Sequence, residues 1–198
     1  MKSILIASFY LFSSTLLLTP CIAYGNENLV ISSTLINGAS NYSAKTRSVI
    51  DDIKAQSSVK EVKKLLRKAM KLRREKKYVE FIAIWTAGTQ WLQKHPDYGP
   101  EHPLTSGCIR EIGNAYRYWG KYSQAIDNYK KSISIIENAS FPSKIRRLHV
   151  LNNQTGIAYA RMGDIKKSIL HYERALDIVN GYEDKYGKLM ATTMFNLA

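Results

Sequence analysis

Two stretches of this chain align without a gap. Ile109-Arg110-Glu111-Ile112-Gly113-Asn114-Ala115-Tyr116 runs on through Gly120 and Ala125 to Tyr129. Asn152-Asn153-Gln154-Thr155-Gly156-Ile157-Ala158-Tyr159 runs on through Gly163 and Ser168 to Tyr172. The pairs Gly113/Gly156, Tyr116/Tyr159, Gly120/Gly163 and Tyr129/Tyr172 are each 43 residues apart. A repeat of this length is one supersecondary unit that cannot bury its apolar face alone, so the units must stack. The residue types suit a pair of helices. Gly113 and Gly156 let the paired helix approach closely, and Tyr116 and Tyr159, one turn later, fill the groove between helices. Gly120 and Gly163 can take positive φ at the turn. Ala125 is small where the second helix crosses the first, and Tyr129 is large where the two are expected to diverge.

From Ser58 onward the apolar spacing is helical and no period-2 run interrupts it, so the domain reads all-α. Stop signals divide it into hairpins at about 58–94, 104–138 and 144–180, with a terminal helix at 185–198. Ser58-Val59-Lys60-Glu61 has the form of a capping box. After it, Val62, Leu65, Leu66, Ala69 and Met70 share one face; Lys60, Lys64, Arg67, Lys68, Lys71 and Arg74 share the other. The helix from about Tyr78 to Lys94 is apolar on most sides, as a helix sandwiched between neighbours is. Three prolines punctuate the loop His95–Pro103, and Pro103 suits the first turn of the next helix. Pro142 marks a later break, and Asp164 is placed to cap the helix after Gly163.

A small residue, Tyr three later, Gly at the turn, then Ala and an aromatic in the second helix: this pattern resembles the tetratricopeptide repeat. The long pitch, Gly99-Pro100-Glu101-His102-Pro103 before a repeat, and Phe195-Asn196-Leu197-Ala198 near the end resemble the kinesin-light-chain style of that family. The resemblance covers roughly residues 60–198 and is best from 104 on. It implies a right-handed superhelical solenoid whose first helices line a concave, peptide-binding groove. The groove positions it implies include Arg110, Glu111, Asn114, Arg117 and Tyr118 in one repeat, Asn153, Gln154, Ile157, Ala160 and Arg161 in the next, and Asn196 beyond. Asn can bond an extended backbone through donor and acceptor. Arg110 and Arg117 can hold a carboxylate. The sequence departs from the family at Ser132 and Ser168, where Ala is expected. It departs again at Phe81, where a small residue belongs, so the 60–94 hairpin reads as an atypical N-terminal cap.

The N-terminus has a different character. Lys2, an apolar run from Ile4 to Leu18, Pro20 and the small residues around Ala23-Tyr24-Gly25 have the layout of a signal peptide spanning residues 1–25. A membrane anchor is the less favoured reading, since a span needs about 20 apolar residues, and acylation of Cys21 ranks lower still. The expected location is therefore secreted or bacterial-type periplasmic. Residues 26–57, rich in Ser, Thr and Asn, read as a linker or irregular arm, with a short helix in Ser48–Gln56. Cleavage leaves Cys108 alone, so no internal disulfide forms. A lone Cys on an apolar helix face is usually a small core residue.

The formal charge is +13. Residues 44–77 hold 13 Lys/Arg against 4 Asp/Glu, whereas 78–198 hold 15 against 11. Lys64, Arg67, Lys68 and Lys71 therefore form a candidate surface for an anionic lipid or envelope polymer. Nucleic acid is disfavoured, because no recognised module is present. His95, His102, His149 and His171 lack metal-ligand spacing, and no hydrolase motif or phosphate loop occurs. The expectation is a non-catalytic protein- or peptide-binding scaffold without cofactor. Its alternatives are an electrostatic adaptor and a regulatory fragment of a larger enzyme. The apolar face of the last helix (Leu189, Met190, Met194, Phe195, Leu197) is a candidate for self-association.

Overall fold

The computed structural model describes residues 42–198. The expected signal peptide, Cys21 and the first part of the expected linker lie outside the described residues. Among the described residues there are eight helices and no strand: α1 Ala44–Ala55, α2 Val59–Arg74, α3 Tyr78–Lys94, α4 Pro103–Tyr118, α5 Tyr122–Asn138, α6 Lys144–Met162, α7 Ile165–Val179 and α8 Glu183–Leu197. The pairs α2–α3, α4–α5 and α6–α7 are hairpins, each packed on the next, and α8 follows as a further first helix.

The three hairpins turn in the same way. Lys77 N–H donates to the Leu72 carbonyl at 2.9 Å, Lys121 to Tyr116 at 2.9 Å and Asp164 to Tyr159 at 3.0 Å. The residue before each donor is left-handed: Lys76 at φ 59°, Gly120 at 79° and Gly163 at 84°. So the turn of α2–α3 falls in the same frame, 44 residues ahead of that of α4–α5. Lys76 occupies a site that glycine fills without steric cost. In this frame Phe81 replaces Ala125 and Trp85 replaces Tyr129. Phe81 is fully buried and stacks on Trp85 with ring centroids 5.5 Å apart.

The hairpin interiors correct one expectation. Tyr129 does not fill a divergence between helices; its ring lies against Gly113 of the facing helix, in the space a Cβ would need. A Cβ on Gly113 would sit 2.8 Å from Tyr129 Cε1, and one on Gly156 would sit 2.6 Å from Tyr172 Cε1. Both serines that depart from the family pattern are buried and bonded. Ser106 and Ser132 hydroxyls lie 2.7 Å apart, and each lies 3.0 Å from the other residue's carbonyl oxygen. Ser168 donates to the Gly156 carbonyl at 3.0 Å. A hydroxyl is thus tolerated in the core because a carbonyl on the facing helix satisfies it.

Two further local readings change. The segment read as linker contains α1, longer than the helix expected within Ser48–Gln56. Ile53 is fully buried in it, packing with Val62, Leu66 and Ile84, and Trp91 Nε1 donates to the Gln56 carbonyl at 2.8 Å. The capping box at α2 is only half formed. Ser58 Oγ accepts from Lys60 N–H at 3.2 Å, whereas the Glu61 carboxylate pairs with Lys64 at 3.3 Å. Asp164 caps α7 as expected, accepting from Lys167 N–H at 3.1 Å.

Two glycines of α4 should respond oppositely to alanine. At Gly107 an added Cβ meets nothing within 4 Å, so Gly107→Ala should stabilise by up to about 1 kcal/mol through helix propensity. At Gly113 the same gain is outweighed by overpacking against a buried ring, so Gly113→Ala should cost about 1–2 kcal/mol net. Urea unfolding of both variants checks this, and equal effects at the two positions would contradict the packing described.

Candidate functional site

The first helices of successive repeats lie side by side, tied by side-chain bonds. Arg73 on α2 reaches Glu111 on α4 at 2.9 Å. Arg147 on α6 donates to the Pro103 carbonyl at the start of α4 at 2.8 Å. From α8, Asn196 Nδ2 donates to Asn153 Oδ1 on α6 at 3.1 Å, and Thr193 meets the buried His149 Nε2 at 3.0 Å. These bonds link α2, α4, α6 and α8 in succession.

On α4 the expected groove residues are largely engaged within the protein. Glu111, 14% exposed at its side chain, pairs with Arg73 and with Arg110 Nη2 at 2.7 Å, and it accepts from Asn114 Nδ2 at 3.2 Å. Asn114 is buried; its Oδ1 accepts from the Tyr129 hydroxyl at 2.9 Å, and that hydroxyl accepts from Arg117 Nε at 3.2 Å. This corrects the reading of Asn114 as an amide offered to a partner's backbone: both ends of the amide are taken. Arg117 is likewise tied down, with its guanidinium 4.5 Å from the Tyr118 ring centroid. Burial pushes the Tyr129 phenol up to about 12, against the pull of Arg117. The Tyr118 ring, 55% exposed, is also flanked by Arg73 at 5.4 Å.

Other expected residues keep an open face. Arg110, Asn153 and Asn196 occupy the same repeat position on α4, α6 and α8, each 43 residues from the next, and all three are partly exposed. Ile157, also partly exposed, supplies an apolar contact one turn past Asn153. Arg73 was not among the expected groove residues. Its signal in the sequence is its alignment with Arg117 once α2–α3 is placed in the repeat frame.

Lys64, Arg67, Lys68 and Lys71 are all exposed on α2. Lys64 pairs with Glu61 and Lys71 with Glu75 at 3.6 Å; Arg67 and Lys68 have no ion pair among the described residues. The candidate reactive groups are in structural roles. Cys108 is buried, and burial pushes its thiol up to about 12, far from the thiolate that reactivity needs. Burial also lowers His149 and His171; the latter stacks on Tyr159 and meets Asn152 Oδ1 at 3.1 Å. His102 Nδ1 accepts from Leu104 N–H at 3.0 Å as the cap of α4.

The Tyr129 hydroxyl is thus the bond between core and face. Tyr129→Phe should cost about 1–3 kcal/mol, because it strands a buried Asn114 acceptor and an Arg117 donor. Denaturant unfolding measures this, and a cost below about 0.5 kcal/mol would show the network to be dispensable.

Residues 111–138 match the family model described as tetratricopeptide repeat. Comparison with curated proteins gives no match.

Proposed function

We propose that this tetratricopeptide-repeat chain is a non-catalytic scaffold that holds an extended polypeptide along α2, α4, α6 and α8, outside the cytoplasm. The match to a tetratricopeptide repeat supports a protein partner in general. The observation that carries the finer reading is the row Arg110, Asn153, Asn196, one polar side chain per repeat on neighbouring helices. Asn196 Nδ2 and Asn153 Oδ1 are 3.1 Å apart, so the two amides present adjoining donor and acceptor groups to one stretch of a crossing backbone. Tyr118 and Ile157 add apolar surface between the polar contacts.

A peptide enriched from a random library on the purified protein is the test ligand. Asn153→Ala with Asn196→Ala should weaken its binding about tenfold or more, from two lost hydrogen bonds. Calorimetry in rising salt gives the comparison. Affinity that survives this pair, but disappears with salt or when Lys64, Arg67, Lys68 and Lys71 become Gln, would replace the groove by the α2 surface. That second reading draws on Arg67 and Lys68, exposed cations without an ion pair among the described residues.

Export is part of the same proposal and rests on the layout of residues 1–25. Protein recovered from the envelope or medium should begin after Ala23 or Gly25. Intact mass spectrometry decides this, and recovered protein that retains Met1 would contradict cleavage.

A further inference from the structure

The two edges of the array carry opposite charge. The turns inside the hairpins, with the helix ends beside them, are residues 73–80, 117–124 and 160–167; they hold nine Lys/Arg against three Asp/Glu. The connections between hairpins, over the same length at 95–102, 138–145 and 179–186, hold two against four. Helices of 15–19 residues separate the two edges, about 25 Å at 1.5 Å per residue. Neighbouring turns meet one another. Trp119 stacks on Tyr78 of the preceding turn with centroids 6.2 Å apart, and the Arg73 guanidinium lies 5.4 Å from the Tyr118 ring. Beyond it, Ile126 near the start of α5 shares a buried cluster with Ala158 and Tyr159 near the end of α6.

The positive edge is only partly answered within the protein. Glu75 takes Lys77 at 3.0 Å and Lys71 at 3.6 Å, and Asp164 takes Lys167 at 2.6 Å. Arg74, Lys76, Lys121, Arg161 and Lys166 are exposed and have no ion pair among the described residues. Large apolar side chains stand among these cations. Met162 is 51% exposed and Ile165 57%, and they adjoin Arg161 and Lys166 in sequence. Trp119, also exposed, has the Lys121 ammonium 5.8 Å from its ring.

We propose that this turn edge is the contact by which the protein lies on an anionic lipid bilayer, with Lys76, Lys121 and Lys166 over the headgroups and Trp119, Met162 and Ile165 in the headgroup layer. Exposed cations gain from the negative potential of such a surface, over a distance of about a Debye length. Trp and long apolar side chains are favoured between headgroups and hydrocarbon, and a fluid layer accepts them without a matching pocket. The asymmetry of the two edges orients the approach, because the acidic connections are repelled while the turns are drawn in. The edge shares no residue with the row Arg110, Asn153 and Asn196, and it stands whether or not that row holds a polypeptide.

The test is flotation of the chain, as recovered from the envelope or medium, with vesicles of equal parts phosphatidylglycerol and phosphatidylcholine. Binding is expected, and it should be at least about tenfold weaker on phosphatidylcholine alone. Gln at Lys76, Lys121 and Lys166 should weaken binding to the anionic vesicles at least about tenfold. Gln at Lys64, Arg67, Lys68 and Lys71 should weaken it less than about threefold. Met162→Gln with Ile165→Gln is the second variant, expected to weaken binding about threefold or more and to leave a residue more sensitive to salt. Trp119 is the exposed one of the three tryptophans, so emission should shift to the blue on anionic vesicles and lose its quenching by aqueous iodide. Binding that falls with the α2 changes but not with the turn changes overturns the edge. Soluble polyphosphate that binds as tightly as the vesicles, and without dependence on Met162 and Ile165, overturns the bilayer as the partner. Absence of binding to anionic vesicles removes the proposal and leaves the polypeptide row untouched.

Discussion

A tyrosine ring packed against a glycine sets the spacing inside each of the two C-terminal hairpins. With Tyr129 against Gly113 and Tyr172 against Gly156, the ring occupies the space that a Cβ on the facing helix would need. That closeness lets Ser106 and Ser132 exchange bonds across the α4–α5 interface, and lets Ser168 reach the Gly156 carbonyl. The second helix of each hairpin in turn packs on the next first helix. Arg147 can then reach Pro103, and Asn196 can reach Asn153. The face available to a partner is thus a product of packing at its back.

The all-α fold and the repeat were legible because Gly113, Tyr116, Gly120 and Tyr129 have narrow chemical roles and recur at a constant spacing. The first hairpin hid its membership. Lys76 stands in the left-handed turn where glycine would have been diagnostic, and Phe81 and Trp85 refill the core with different volumes. Helix α1 was harder to see because its anchoring rests chiefly on Ile53 and on a backbone carbonyl that Trp91 finds 35 residues away. At the face, residue spacing says which side chains share a surface but not which of them are already partnered. Glu111 takes up Arg73, Arg110 and Asn114, and Asn114 is buried beneath it. Asn153 and Asn196 are partly exposed and bonded to each other, a pairing that spacing does not disclose either.

Positive charge has two different settings in this chain. On α2 the cations stand in solvent, some answered by Glu61 and Glu75 one turn away. Such charges are well screened, and they favour approach to an anionic partner more than tight holding. Arg110 and Arg147 are half-buried and held by protein contacts, the first by Glu111 and the second by the Pro103 carbonyl and the Phe141 ring, whereas Arg146 between them in sequence stands exposed. Glu111 offsets one of them and no more.

The Asn114–Tyr129–Arg117 chain of bonds also has no counterpart one repeat later. The residues aligned with Asn114 and Arg117 are Ile157 and Ala160, neither of which has a side chain able to bond a phenol. Tyr172 therefore wedges its hairpin without being latched to the first helix in that way. α6 and α7 are joined instead at other points, by Ser168 on the Gly156 carbonyl and by His171 against Asn152 and the Tyr159 ring. The same backbone pairing is thus locked through the core tyrosine in one hairpin and through a histidine at its edge in the next. A substitution at Tyr129 and one at Tyr172 therefore remove different things: a ring with its bonds to the first helix in one case, a ring without such bonds in the other.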